Sequence, residues 1–124
     1  MTSQSPEEAI CDLSTYKSQL ANEGYAIIPS VLSPERCAST LDRLWAAAEE
    51  SRRRGNATFL PHLDPNASNV RVFYLLELDE VFRDLIQHPT AVEMVQGLLG
   101  EEFLVSNFTA NVARPGSGSM GLHR

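Results

Sequence analysis

Residues 103–124 read FLVSNFTANVARPGSGSMGLHR, and the fold turns on how they are read. Alternation predicts one long strand, then a Pro-Gly turn, a loop of small residues and a histidine. Phe103, Val105, Asn107, Thr109 and Asn111 share one face of that strand; Leu104, Ser106, Phe108, Ala110 and Val112 share the other. The first face starts apolar and becomes polar toward His123. It carries short amides and hydroxyls where a solvated face normally carries long charged side chains. Such a row suits a shaped polar cavity holding a small ligand. An ordinary edge strand with its polar residues in water fits the same pattern.

Working outward, the preceding stretch is mostly helical. Thr90 and Glu93 have capping-box spacing for a helix whose apolar side is Val95, Leu98 and Leu99 and whose stop is Gly100. Asp79 caps a shorter helix carrying Phe82, Leu85 and Ile86, which His88-Pro89 breaks. Val70 to Leu76 is β-branched and aromatic and reads as a strand with Arg71 inside it. Residues 55–69 form a loop rich in Asn and Pro. Ser33-Pro34-Glu35 starts a long helix with an apolar stripe of Cys37, Leu41, Leu44, Trp45 and Ala48, ending in Arg52-Arg53-Arg54 and Gly55. The arginine run reads as a solvated helix end matched to the macrodipole. Tyr25 to Ile28 is a short apolar β-type run closed by Pro29, and a first helix is expected over residues 6–23.

Composition bounds the class. One domain at most is expected from 124 residues, and 43% hydrophobic with 21% charged residues is ordinary for a globular chain. A net charge of -6 argues against nucleic-acid binding, which normally shows a basic face. No apolar run approaches the roughly 18 residues of a membrane span. The first residues lack the basic and apolar regions of a secretory signal. A cytoplasmic location is expected, with Cys11 and Cys37 as free thiols. The sequons at Asn56, Asn66 and Asn107 then read as chance matches.

Two histidines compete for chemistry. His62-Leu63-Asp64 has the H-x-D spacing that lets one strand offer an imidazole and a carboxylate to a metal, but prolines flank it in a loop. That placement points to a chance match. His123 follows the strand, the turn and Met120-Gly121-Leu122. Arg71 in an apolar strand needs an anionic or acceptor partner if it points inward, whereas on an edge strand it can face solvent.

The order of these pieces resembles the N-terminal half of the phytanoyl-CoA dioxygenase family of non-haem iron and 2-oxoglutarate dioxygenases. The resemblance runs from about Leu20 to the end. It rests on Gly24-Tyr25 with Val31-Leu32-Ser33-Pro34-Glu35, on Leu98-Leu99-Gly100, and on Pro115-Gly116 leading to Leu122-His123-Arg124. It implies an α+β fold: N-terminal helices plus the first strands of a double-stranded β-helix (a jelly roll), incomplete in this chain. It also implies hydroxylation of a small organic or acyl substrate, with 2-oxoglutarate giving succinate and carbon dioxide. His123 matches the first histidine of the family's His-x-Asp iron motif, with Arg124 at the x position. Arg71 matches a basic residue that contacts 2-oxoglutarate. Asn107, Thr109 and Asn111 match the strand that runs past that co-substrate.

The carboxylate ligand, the second histidine and the distal arginine of the family are not among these residues. The chain is therefore expected to be the N-terminal part of one dioxygenase domain, cut just after its first iron ligand and inactive alone. A small-molecule substrate is the expected partner. Two other readings stay open: a non-catalytic interaction module, and a small metal-binding domain built on His62, Asp64 and His123.

Overall fold

The computed structural model describes residues 12–120. The expected first turns of the N-terminal helix, Cys11, His123 and Arg124 lie outside the described residues. Contacts divide the chain into two units, one of residues 1–31 with 87–103 and one of residues 32–86 with 104–124.

The first unit pairs two helices. Helix α1 spans Ser14–Glu23, and the Asp12 carboxylate accepts the Ser14 N–H at its start. Gly24 ends it at φ 83, a left-handed conformation that glycine adopts without a Cβ clash, returning its N–H to the Leu20 carbonyl. Its partner, α5 in the numbering used below, spans Pro89–Leu99. The expected Thr90/Glu93 capping box does not form. Instead His88 is the cap, its Nδ1 accepting the Thr90 N–H at 3.2 Å, with Pro89 in the first turn. Tyr25 to Ile28 is not a strand, because no neighbouring strand takes its backbone groups among the described residues. Its alternation survives in part: Tyr25 and Ile27 are exposed, while Ala26 and Ile28 line an apolar groove with α1 and α5.

The second unit begins with α2, Pro34–Arg53. Ser33 caps it through Oγ, which accepts the Arg36 N–H, and Pro34 and Glu35 occupy the first turn as the sequence indicates. Its buried face is Ala47, Ala48 and Ser51, flanked by the half-buried Leu44 and Trp45. Cys37 and Leu41, expected on that face, are exposed, and the buried positions lie in the C-terminal half of the helix. Glu49 and Glu50 pair with Arg52, Arg53 and Arg54. Hydrogen bonds from Arg53 and then Arg54 lower the Glu50 carboxyl to about 2. Each arginine of the run is thus paired within the same stretch of chain.

Strand β1, Asn69–Val72, follows, then α3, Leu75–Leu78, and α4, Glu80–Ile86. The expected strand to Leu76 stops at Val72 because Tyr74 turns left-handed, at φ 61, into α3. Strand β2, Ala110–Ala113, pairs antiparallel with β1, so that Val70 faces Val112 and Arg71 faces Asn111. The long strand expected from Phe103 is thus only four residues in length. A strand extends only as far as its neighbour, and β1 ends opposite Ala110. Beyond it the Leu75 N–H bonds the Phe108 carbonyl.

The ribbon has two faces. Val70 and Val72 bury inward with Ala47, Ala48, Leu75 and Phe82, and Phe108, Ala110 and Val112 pack against that core. The apolar face read from alternation is therefore correct from Phe108 onward. Helix and ribbon together are α+β. Asn69, Arg71 and Asn111 take the other face.

Candidate functional site

The polar face of the ribbon is built from three short segments. Strand β1 supplies Asn69 and Arg71; β2 supplies Asn111 opposite Arg71. The loop before β1 supplies Asp64, and the loop after β2 supplies Met120. The second loop starts as a turn in which Ser117 N–H bonds the Arg114 carbonyl across Pro115-Gly116, with Gly116 at φ 84. Proline then glycine at the central positions is the composition of a type II turn. It sends the chain back along the ribbon, where Asn66 Nδ2 donates to the Gly116 carbonyl.

Arg71 points inward, and its side chain is 12% exposed. Its Nε donates to Asp64 Oδ1 at 2.5 Å, and its Nη2 reaches the Met120 thioether at 3.4 Å. Asn69 Nδ2 reaches Asn111 Oδ1, and Asn111 Nδ2 faces the same Met120 sulfur. The buried Asn69 Oδ1 has no hydrogen-bond partner among the described residues.

Asp64 is the partner that sequence reasoning missed. Its side chain is fully buried, and its Oδ2 accepts the Leu60 N–H at 2.7 Å. Burial alone would raise its carboxyl, but the Leu60 amide and the Arg71 guanidinium outweigh that and hold it below the usual carboxylate range. A signal was available: Asp64 is the only acidic residue between Glu50 and Glu77, and Arg71 needed an acceptor. Both Asp64 oxygens are spent on these donors, while His62 is exposed. The H-x-D triplet therefore serves the arginine, and no group of three metal-ligating side chains forms among the described residues.

The four candidate ligand-lining residues divide. Arg71 and Asn111 meet on the ribbon. Asn107 and Thr109 line a separate groove of about 350 Å³ with Phe73, Tyr74, Leu76, Glu77, Ser106 and Phe108.

A donor set of this kind fits a carboxylate. The Nη edge of a largely covered guanidinium, facing a weak thioether acceptor, matches the planar two-oxygen geometry of such a group. It does not itself hold a metal.

Comparison with known proteins bears on the same residues. The sequence profile of the family described as phytanoyl-CoA dioxygenase (PhyH) matches residues 20–124. The chain is 51% identical over 107 residues to Dioxygenase af480 of Aspergillus fumigatus. That match takes in 86% of this chain and 35% of the relative, so the chain spans about a third of the relative's length. No solved structure matches the chain. No helix among the described residues is long and apolar enough to cross a membrane. A family profile over residues 20–124, together with this relative, makes the chain a member of the phytanoyl-CoA dioxygenase family.

Proposed function

We propose that the protein is an Fe(II)- and 2-oxoglutarate-dependent dioxygenase that hydroxylates a small organic or acyl substrate with release of succinate and carbon dioxide. The reading takes this chain as the first part of such a protein, in line with its covering 35% of a dioxygenase relative. The β1–β2 ribbon would then open a jelly roll completed by further strands.

The observation that carries the reading is Arg71. A largely covered guanidinium on the polar face of β1, with Nη2 turned to a thioether, supports a carboxylate ligand at that position. Asn111, directly across the ladder, would donate to the same ligand. His123 would supply one imidazole to Fe(II), whose remaining protein ligands in the family are a carboxylate and a second histidine. When bound, the iron and the keto acid supply the oxidising chemistry. The residues of this chain bind and orient the keto acid and keep water from it. The groove of Phe73, Tyr74, Asn107 and Thr109 is assigned to the organic substrate: aromatic rings with a few hydrogen-bonding groups suit a ligand of mixed polarity.

The test is anaerobic binding of Fe(II) and 2-oxoglutarate to the full-length protein, followed by the visible charge-transfer band of the ternary complex. The band should appear, and His123→Ala should remove it. Its absence from a folded, iron-loaded protein would end the dioxygenase reading.

A further inference from the structure

We propose that Asp64 is a positioning residue for co-substrate binding: it holds the Arg71 guanidinium by Nε so that the Nη edge is presented to the keto-acid carboxylate. The inference rests on the reading of Arg71 given above.

Two arginine–aspartate pairs in this unit make opposite use of the same chemistry. At Arg43 and Asp79, Nε and Nη2 each meet a carboxylate oxygen at 2.6 Å, so the fork is closed on its partner. At Arg71 and Asp64 only Nε is engaged. The second aspartate oxygen is diverted to the Leu60 amide, and among the described residues Nη2 is left with the Met120 sulfur. Thioether sulfur is a weak acceptor. A carboxylate ligand would replace it with a charge-assisted hydrogen bond. The pairing is therefore held open on the side where a ligand gains most.

Asp64 is itself held by its loop. Leu63 and Asp64 both donate their N–H groups to the Leu60 carbonyl, at 3.0 and 2.8 Å, closing the loop on itself. Arg71 N–H bonds the Thr58 carbonyl at 2.8 Å, which ties the same loop to β1. Loop and strand thus fix both ends of the ion pair. An arginine loses rotamer entropy when a ligand orders it, and one already ordered loses less.

A plain counter-ion would behave in the opposite sense. If Asp64 only neutralised Arg71, removing its charge would strengthen anion binding. If it positions Arg71, removing it weakens binding.

The experiment is calorimetric titration of 2-oxoglutarate into the full-length protein loaded with Mn(II), which binds the keto acid without turnover. Arg71→Gln should weaken binding by well over tenfold, as loss of a charged hydrogen-bond pair to a carboxylate does. Asp64→Asn, which keeps an acceptor for the Leu60 amide, should weaken it about tenfold, the low end for a group acting through another residue. Turnover of the same variant should show the loss in KM for 2-oxoglutarate, with kcat at saturation changed far less. Unchanged or tighter binding in Asp64→Asn, beside weakened binding in Arg71→Gln, overturns the positioning role and leaves the Arg71 reading intact. Unchanged binding in Arg71→Gln removes that reading and this proposal with it. Should Asp64→Asn not fold, Asp64→Glu carries the test: it keeps the charge but displaces the guanidinium by one methylene, and unchanged affinity then overturns the role.

Discussion

Asp79 joins α2 to the start of α4: both its oxygens bond Arg43, at 2.6 Å each, and Oδ1 also accepts the Val81 N–H at 3.0 Å. One carboxylate is therefore the cap of α4 and the tether of a residue 36 positions earlier. The two roles predict unequal mutants. Asp79→Ala loses cap and tether and should cost about 1–2 kcal/mol, the upper range for a helix cap. Arg43→Ala loses only the half-exposed tether and should cost less. The Arg43 hydrogen bonds, then the Val81 amide, keep the Asp79 carboxyl below its ordinary value. A depressed folded value means the contribution is complete above about pH 4, where the unfolded group ionises, and is lost as pH falls through the folded value. Urea midpoints of wild type and Asp79→Asn should therefore converge on acidification below that point.

The core predicts a second result. Phe82 is 2% exposed, and its ring stands edge-on to Phe108 at 6.3 Å and 87°. Phe82→Ala should destabilise by about 3–5 kcal/mol through lost burial and the cavity left behind. In a double-mutant cycle with Phe108→Leu, a coupling of about 0.5–1.5 kcal/mol is expected for this geometry. Strict additivity would show that the ring contact contributes nothing beyond its area.

The division of the polar row has a kinetic consequence. Asn111 sits across from Arg71, whereas Asn107 and Thr109 line the aromatic groove. Under the proposed function, Asn111→Ala should raise KM for 2-oxoglutarate and leave KM for the organic substrate nearly unchanged. Asn107→Ala and Thr109→Ala should do the reverse. All three raising the same KM would show that the row acts as one site.

What the sequence made legible follows from how local each signal is. Ser33 and Pro34 start α2 as expected, and Gly24 and Gly100 end α1 and α5, because caps and stops depend on neighbours within one turn. The inward face of Phe108, Ala110 and Val112 was readable for the same reason. Strand length was not, since β2 can pair only as far as β1 extends, and the Tyr74 backbone stops β1. The His88 cap displaced the Thr90 box because an imidazole can do what Ser or Thr usually does. Arg71 was singled out by type, yet its partner was not: Asp64 stood in an H-x-D triplet read as a chance match, and only the loop's path shows that it faces the strand.

The loop that runs back along the ribbon supplies a last test. Gly118 has φ +76, and a Cβ there would stand 3.2 Å from the Pro65 Cβ. Pro65 adjoins Asp64, and Met120, two residues beyond Gly118, touches Arg71 and Asn111. Gly118→Ala combines a left-handed backbone with that close approach, so about 1–2 kcal/mol of strain is expected. Its relief requires the loop to move off Pro65, carrying Met120 with it. The expected outcome is weaker Fe(II) and 2-oxoglutarate binding in the full-length protein with only a modest loss of Tm. Pro65→Ala should restore part of the binding, because it leaves the β-carbon but frees the ring that holds it in place. A Gly118→Ala protein that binds both as tightly as wild type would show that this loop is not coupled to the site.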